Sequence, residues 1–474
     1  MRVPMIAGLL LAVTALAPGA AKHAAGDYAA APAAFEHGGS DRTSLFAAPD
    51  PFASEAAPEQ SHNPALRGLW NVAEARDGSL FALSGVLGGR DRPTVSSLNA
   101  ADLAIKWQRE LPLPPTGAKW NYPGAVAVHA NGQVYAIYMT RLARLDPATG
   151  EVTATVDLPA PNGLDDTTYN GFIILEDGMI LAKSHHRPKG CTAQGYRAFV
   201  ECGVEGVAPS ALVLIDPETL RIVWTGSAPE LIGGRITATR FRGQTYVYLA
   251  GHSLIHRMIY RGTRLESDAE WGPVRYRHGE QTPGTAVVGF GDFVLIQNNA
   301  IPTRAALTLT AIAQGDASRS FTVQPFAQQT DHWYFMPSKM STDWDNRRVY
   351  TAAAYDGLVA LDFDPDGGFS VAWRKSQPTG SFITLVGPPE QRVLIAGDVS
   401  GAAPDTLGAP EHTREGLVWR NANDGQELYR LDDLPRNFGL TLTPDRDGAV
   451  VFPTRTEGLF KFRPQGQLGA EPND

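Results

Sequence analysis

The stretch 124–158 reads GAVAVHANGQVYAIYMTRLARLDPATGEVTATVDL and contains four short apolar runs separated by turn residues. Runs of this length, rich in β-branched and aromatic residues, are typical of strands. The turns have a physical basis, because Gly132 can adopt positive φ and the ring of Pro147 presets φ for a type I turn. The stretch therefore predicts one antiparallel sheet, with strands at 125–128, 134–138, 142–145 and 152–156.

The same order of strands and turns recurs about every fifty residues. The first turn of each segment falls at Gly78, Gly132, Gly178, Gly243, Gly291, Arg347, Gln391 and Gly448. A four-stranded sheet cannot cover both of its own faces, so repeats of this length indicate blades that pack around a ring. We expect an all-β chain forming a single β-propeller of four-stranded blades. Eight blades are preferred. Seven are the alternative if the first or last segment packs outside the ring instead of forming a blade.

The repeats assign residues 65–465 to the propeller. Residues 22–64 are rich in Ala, Pro and Gly and predict an irregular lead, and 466–474 predict a disordered tail. The last segment, 440–462, has room for only three strands. Since propellers usually close by pairing strands from both chain ends, we expect its outer strand to come from the lead, around Ser44–Ala48.

The first residues resemble an export signal. Arg2 precedes an apolar run at 6–16, and small residues follow at 18–21. This pattern predicts a signal peptide over 1–21, with a membrane anchor as the alternative. No later segment approaches 18 uninterrupted apolar residues, so no membrane insertion is expected. The mature protein is predicted to be periplasmic or secreted.

The two cysteines, Cys191 and Cys202, are separated by ten residues. In an exported chain such a pair predicts a disulfide bond. Two free thiols or half of a metal site are the alternatives.

Composition and motifs narrow the function classes. The net charge is −9 and charged residues make up 19% of the chain. Nucleic-acid-binding proteins normally carry a basic surface patch, so a nucleic-acid partner is not expected. The chain has no Gly-x-Ser-x-Gly elbow, P-loop, His-Glu-x-x-His motif or zinc-spaced Cys cluster. Neither a metal site nor a cofactor is predicted from motifs, and a small organic molecule or saccharide is the expected ligand.

The spacing of the repeats also indicates which face of the propeller carries the long loops. Long connections between the second and third strands occur in alternate segments, at 84–94, 185–209, 298–304 and 397–416. In a propeller these connections emerge on the same face as the links between blades. We call this the top face. Long loops on a rigid scaffold are where binding and chemistry concentrate, so the top face is expected to be functional.

Projecting the segments onto the top face gathers the candidate site residues. His, Tyr, Lys and Arg around one cavity could move a proton, stabilise an oxyanion and anchor a carboxylate. The predicted catalytic residues are His185, His186, His332 and Tyr169. The predicted substrate-binding residues are Arg235, Lys183, Asn170, Trp120, Asn298, Asp331 and Tyr355.

Each candidate also has a structural interpretation. His185 and His186 are adjacent, so in a strand they would point to opposite faces. His332 could cap a strand, and Tyr169 and Trp120 could pack between blades.

The turns 146–150 (DPATG) and 216–220 (DPETL), and the strands carrying Trp224 and Trp373, resemble the repeats of quinoprotein-alcohol-dehydrogenase-like propellers with PQQ-like repeats. The resemblance covers about residues 66–465 and implies the architecture. It also raises pyrroloquinoline quinone (PQQ) or a metal ion as a cofactor. Those dehydrogenases place a disulfide between adjacent cysteines against the quinone, whereas Cys191 and Cys202 are ten residues apart, so no cofactor is predicted.

Three functions remain open at this point. The preferred one is an exported lyase or hydrolase that acts on a small organic or saccharide substrate by His/Tyr acid–base chemistry. The first alternative is a non-catalytic periplasmic propeller that binds a ligand or protein, and the second is a quinone- or copper-dependent oxidoreductase.

Overall fold

The computed structural model describes residues 27–52, 59–86, 92–298, 305–326, 340–353, 357–400, 414–438 and 441–464. Eight sheets, each built on four strands, form a ring, and in seven of them the four strands are adjacent in sequence. The predicted eight-bladed β-propeller is confirmed. Helical structure in these residues is limited to α1 (Tyr196–Glu201) and two 3-10 turns, Glu36–Gly38 and Pro389–Gln391.

Strand β1 (Glu59–Asn63) precedes the blades, whose strands run from A at the channel to D at the rim. Blade 1 comprises β2 (Leu69–Glu74), β3 (Leu80–Ser84), β4 (Thr94–Leu98) and β5 (Ile105–Glu110). Blade 2 comprises β6 (Ala125–Val128), β7 (Val134–Tyr138), β8 (Arg141–Leu145) and β9 (Val152–Asp157). Blade 3 comprises β10 (Thr167–Ile174), β11 (Ile180–His186), β12 (Ala211–Ile215) and β13 (Ile222–Ser227).

Blade 4 comprises β14 (Ile236–Phe241), β15 (Gln244–Ala250), β16 (Leu254–Tyr260) and β17 (Leu265–Ser267), and β18 (Val274–Arg275) also pairs with β16. Blade 5 comprises β19 (Val287–Phe290), β20 (Phe293–Gln297), β21 (Leu309–Ala313) and β22 (Ser320–Val323). Blade 6 comprises β23 (Ser341–Asp343), β24 (Arg348–Ala353), β25 (Gly357–Asp364) and β26 (Gly368–Lys375). Blade 7 comprises β27 (Thr384–Val386), β28 (Val393–Asp398), β29 (Arg414–Asn421) and β30 (Glu427–Pro435). Blade 8 has β31 (Thr443–Pro444), β32 (Val450–Pro453) and β33 (Leu459–Arg463).

Blade 8 is completed by β1, which pairs antiparallel with β33 and places Ser61 opposite Lys461. The prediction that the closing strand lies around Ser44–Ala48 was therefore wrong. That segment instead meets strand A of blade 7, where Leu385 donates to the Ser44 carbonyl at 2.9 Å and Phe46 donates to the Leu385 carbonyl at 2.9 Å. β1 (EQSHN) is entirely polar, whereas 44–48 (SLFAA) is mostly apolar, so the apolar pattern favoured the wrong segment.

Burial explains why the inner strands are so apolar. Every residue of β7 is buried, whereas residues of β9 alternate between intermediate and exposed. Neighbouring blades cover both faces of the inner strands, which therefore carry continuous apolar runs, while the outermost strand keeps one face in water. The core thus lies between blades and around the channel.

The first turn of each blade explains the repeat seen in the sequence. Backbone φ is positive at seven of the eight turn positions: Gly78, Gly132, Gly178, Gly243, Gly291, Arg347 and Gly448. Glycine adopts this conformation without steric cost, so the periodic glycines mark the tight turns between strands A and B.

The N-terminal lead, residues 27–52, runs inside the ring and plugs its channel. Its backbone or side chains hydrogen-bond to strand A of seven blades, at Glu74, Val128, Ile174, Ala238, Gly289, Thr342 and Leu385. The lead is therefore an integral part of the channel wall and forms the floor on which a top-face site can rest.

Candidate functional site: the top-face cavity

A cavity lies at the top-face end of the channel, directly above the lead. Each blade contributes a residue at or just before strand A: Trp70, Tyr122, Asn170, Arg235, Thr285, Met340, Phe382 and Thr441. Glu36, His37 and Arg42 of the lead also contribute to its lining. The space open to the centres of water molecules is about 70 Å³. Since one water needs about 10–15 Å³ on this measure, the space suits a ligand with about the bulk of a single ring.

A buried cluster of three charged side chains sits at the bottom of this cavity. The Glu36 carboxylate accepts from Arg42 Nη1 at 2.9 Å, and its Oε1 lies 2.9 Å from Arg235 Nε. Glu36 and Arg42 side chains are each 2% exposed. Two guanidiniums therefore share one carboxylate, and the cluster carries a formal charge of +1.

This charge arrangement shifts the ionisation of the cluster. Burial would raise the pKa of Glu36, but Arg235 and Arg42 outweigh it and lower the pKa to about 2. The pKa of Arg42 is lowered by burial, and Arg235 adds to that effect. The carboxylate is thus ionised at neutral pH, and the excess positive charge remains in a desolvated place.

Two buried polar atoms of residues that line the cavity have no hydrogen-bond partner among the described residues. They are Arg42 Nη2, a donor, and Asn170 Oδ1, an acceptor. The Asn170 amide nitrogen donates to the Gly233 carbonyl at 3.2 Å, so the other amide atom, Oδ1, is the oxygen. The residue is 3% exposed. A buried polar group without a partner is costly, so both atoms are suited to meet a ligand.

Each nitrogen of Arg235 already contacts a protein acceptor. Its Nη1 donates to the Pro123 carbonyl and its Nη2 donates to Gly124 and Glu36, each at 3.1 Å. The guanidinium lies over Gly171, where an added Cβ would be 3.0 Å from Nη1. Arg235 therefore joins blade 4 to blade 2 and to the lead.

His37 lines the same cavity beside Glu36. Its Nδ1 lies 3.1 Å from Ser44 Oγ, and its ring packs edge-on against Phe382 at 4.3 Å. Burial lowers its pKa to about 3; the Glu36 charge opposes this shift and the two arginines add to it. His37 is therefore neutral at physiological pH and is a weak base.

One wall of the cavity comes from the long loop of blade 3, residues 187–210. Tyr196, at the start of α1, donates from its hydroxyl to the carbonyls of Pro283 and Gly284 at 2.8 and 3.0 Å. The predicted disulfide is present, since Cys191 and Cys202 are bonded. It closes the part of the loop that holds Tyr196 against blade 5.

Of the candidates predicted from sequence, the structure places Arg235 and Asn170 in the cavity lining. Lys183 lies beside them but is fully buried, and its Nζ donates to the carbonyls of Ile232 and Gly234 at 2.8 and 2.6 Å. Burial, with the nearby arginines, lowers the pKa of Lys183 well below its usual value. Lys183 thus supports the loop that carries Arg235 without itself lining the cavity.

His185 and Trp120 lie behind the cavity wall. His185 is fully buried with Nε2 3.0 Å from the Gly195 carbonyl, and its ring is 5.8 Å from Tyr122, which does line the cavity. Burial first, and Lys183 second, lower the pKa of His185 to about 3. The Trp120 indole donates to Gln194 at 2.9 Å, and the Arg187 guanidinium stacks on its ring.

The other described candidates also have structural partners. His186 Nδ1 lies 2.8 Å from the Ala208 carbonyl, and its Nε2 lies 2.8 Å from Ser184 Oγ. The Tyr169 hydroxyl donates to the Pro159 carbonyl at 2.8 Å, and burial raises its pKa. Asn298 donates to Gln281 Oε1 at 2.6 Å. None of these three lines the top-face cavity.

Asp331, His332 and Tyr355 lie outside the described residues, and their predicted roles stay predictions. The sequence interpretation also missed Glu36, His37 and Arg42, because the lead was treated as irregular. The signal was a local cluster of charged residues, FEHGGSDR at 35–42, within a stretch otherwise rich in Ala, Pro and Gly.

A second hollow lies on the opposite side of the lead, where Glu176, Arg240 and Asp41 are among the lining residues. Its charged groups are partly paired, with Arg240 3.0 Å from Glu176 and Thr245 donating to Glu176 at 2.8 Å. No unpartnered buried polar atom of the described residues lies in its lining. The top-face cavity is therefore the stronger candidate.

Known proteins resemble the chain in fold. No protein-family model matches it, and no curated protein matches it by sequence. The quinohemoprotein alcohol dehydrogenase of Comamonas testosteroni aligns with a TM-score of 0.60 at 12% identity, over 94% of this chain and 82% of that one. The quinohemoprotein alcohol dehydrogenase ADHIIG of Pseudomonas putida HK5 gives 0.55 at 11% identity, over 95% and 82%. BamB of Moraxella catarrhalis gives 0.50 at 14% identity, over 86% and 99%. The chain thus has the architecture of PQQ-like β-propellers.

The described residues do not fit PQQ itself. PQQ is a rigid tricyclic quinone with three carboxyl groups, whereas the cavity has room for about one ring and a net charge of +1. The only two cysteines, Cys191 and Cys202, are not adjacent, so they cannot form a disulfide between neighbouring residues. Among the described residues no group of three or more His, Cys, Asp or Glu is placed to hold a metal ion.

No helix among the described residues is long and apolar enough to cross a membrane.

Proposed function

We propose that this protein is an exported, non-catalytic β-propeller that binds a small organic ligand in the top-face cavity. One observation carries the proposal: the cavity combines aromatic walls with two unpartnered polar atoms, Arg42 Nη2 and Asn170 Oδ1. Concave, mostly apolar sites with a few convergent polar groups are typical of small-molecule binding.

The state of the histidines that the structure describes near the cavity favours binding over catalysis. A general base needs a pKa near the working pH and reach to the substrate proton. His185 and His186 have pKa values lowered to about 3 and 4, and neither lines the cavity. His37 does line it but is held neutral with a pKa of about 3. A lyase or hydrolase activity is therefore the weaker interpretation.

Export is part of the proposal for two reasons. The N-terminal pattern of Arg2 and an apolar run suits a signal peptide, although residues 1–26 are outside the described part of the chain. The Cys191–Cys202 disulfide suits an oxidising compartment such as the periplasm.

The test is a stability screen with a panel of small anionic, neutral and cationic compounds. Ala286 lines the cavity, whereas Ala148 is exposed in a turn of blade 2. Ala286→Leu should reduce the ligand-induced shift in Tm because it fills the cavity, and Ala148→Leu should leave the shift unchanged. If no compound of any class shifts Tm, or if Ala286→Leu responds like the parent protein, the proposed site is wrong.

A further inference from the structure

We propose that the ligand of the top-face cavity is a small carboxylate that has an apolar body and a hydroxyl or N–H donor. This inference rests on the proposed binding function and specifies its chemistry. Three features of the cavity carry it: the charge of its floor, its two unpartnered atoms and its walls.

The charge of the floor selects an anion. Arg42 and Arg235 face a single carboxylate, and of the described residues that line the cavity Glu36 is the only acid. Lys183 lies close by and donates only to backbone carbonyls, so no further acid among the described residues is paired with it there. A bound monoanion would neutralise the +1 cluster, whereas a cation would increase the repulsion.

The unpartnered atoms define two contacts of opposite type. Arg42 Nη2 can donate to a carboxylate oxygen, since its other nitrogens already donate to Ile236 and Glu36. Asn170 Oδ1 can accept from a hydroxyl or N–H of the same ligand. Charge-assisted hydrogen bonds of the first kind are about twice as strong as neutral ones.

The walls favour an organic anion over inorganic phosphate. Trp70, Tyr122, Val288, Met340 and Phe382 surround the space above the floor. Such side chains suit an aromatic or aliphatic body, and phosphate has none. Phosphate also carries on average more than one charge at neutral pH, which exceeds the single excess charge of the cluster.

Calorimetric titration of the full mature protein tests this with matched probes. Benzoate should bind at least tenfold more tightly than benzamide, its uncharged counterpart, and more tightly than benzylamine or inorganic phosphate. Of 3- and 4-hydroxybenzoate, at least one should bind better than benzoate, and Asn170→Ala should abolish that gain, so that the hydroxybenzoate and benzoate then bind with similar affinity.

A variant that changes the charge of the cavity tests whether benzoate binds there because it is an anion. Asn170→Asp should weaken benzoate binding at least tenfold more than it weakens benzamide binding, because it places a carboxylate beside the ligand. Asn423→Asp is the matched control, since Asn423 is exposed in a turn of blade 7, and it should change neither affinity.

Two results would overturn the carboxylate class. One is tighter binding of benzamide, benzylamine or phosphate than of benzoate, with all binding lost in Ala286→Leu; the proposed binding site would then stand with a different ligand. The other is an absence of benzoate binding to the folded parent protein. If no member of the wider panel binds either, the proposed function fails as well.

Discussion

Glu36 and Arg235 are 199 residues apart in the chain, yet Glu36 Oε1 lies 2.9 Å from Arg235 Nε in the centre of the propeller. One belongs to the lead and the other precedes strand A of blade 4. Because the same carboxylate also accepts from Arg42, one residue of the lead holds together the floor of the cavity.

Removing this carboxylate should therefore be costly. In Glu36→Gln the two guanidiniums would remain buried with no negative charge between them. Breaking a buried ion pair from one side typically costs about 3–5 kcal/mol, so we expect a loss of that size in the free energy of unfolding, measured by urea denaturation at pH 7.

The matched control is Glu457→Gln. Glu457 pairs with Arg414 at 2.8 Å, but the two side chains are 48% and 45% exposed. Exposed pairs contribute about 0–1 kcal/mol, so this variant should be nearly neutral. Equal losses in the two variants would contradict the structural role given to Glu36.

The architecture could be predicted from sequence because it is repeated. The eight first turns, such as Asn131-Gly132, and second turns such as Asp146–Gly150 are set by local backbone geometry, so the sequence alone reveals them. The floor of the cavity could not be predicted in the same way. Glu36 and Arg42 occur once, in a segment without periodicity, and their partners come from distant parts of the chain.

The predicted histidines also show that the sequence does not reveal which side chains reach the cavity. Sequence placed His185 and His186 at the top of blade 3, and they do lie at the end of β11. Which side chain reaches the cavity depends on the loop 187–210, which covers them: Gly195 and Ala208 accept their hydrogen bonds. Arg235 and Asn170 reach the cavity because they lie at inner strands, where no such loop intervenes.

Buried histidines should make the protein sensitive to mild acid. Burial lowers the pKa of His185 to about 3 in the folded state, against 6.5 for an unperturbed histidine. Between these values the unfolded chain binds the extra proton, so stability rises with pH and falls as pH drops below about 6.5. At pH 5 this one residue should lower the free energy of unfolding by about 2 kcal/mol relative to pH 7.5.

Denaturation of His185→Gln at both pH values measures this contribution. Its stability should fall by about 2 kcal/mol less than that of the parent protein over this interval. His278→Gln is the control because His278 is exposed, and it should follow the parent. The lowered pKa of Glu36 acts in a lower window, below about 4.5, so it does not confuse the comparison. An unchanged pH slope in His185→Gln would refute the assignment.

Gly234 should tolerate no side chain, since the backbone before Arg235 packs against blade 5. An added Cβ would lie 1.5 Å from the Thr285 carbonyl oxygen, and Arg235 donates its own N–H to that carbonyl at 2.9 Å. Gly234→Ala must therefore push two blades apart. We expect a loss of about 1–3 kcal/mol, the range found for overpacking, together with weaker probe binding as Arg235 shifts.

Gly315→Ala provides the comparison for this variant. Its added Cβ would be no closer than 3.4 Å to any neighbour, which is ordinary contact. Its urea denaturation midpoint should match that of the parent, and a similar result for Gly234→Ala would mean that the two blades adjust without strain.

The Cys191–Cys202 bond should act locally on the cavity wall. It encloses the ten residues 192–201, which include Tyr196, whose hydroxyl donates to the carbonyls of Pro283 and Gly284. On the chain-entropy model a loop of this size gains about 2–3 kcal/mol from the cross-link. In Cys191→Ser/Cys202→Ser this loss should be concentrated in the loop, because blade 3 keeps its own ladder of hydrogen bonds.

Hydrogen exchange measures this local effect. It should speed up in 187–210 by one to two orders of magnitude and stay unchanged in β7. Benzoate should also dissociate faster as Tyr196 loosens. Equal exchange in the two proteins across 187–210 would show that packing of α1, not the disulfide, holds this wall in place.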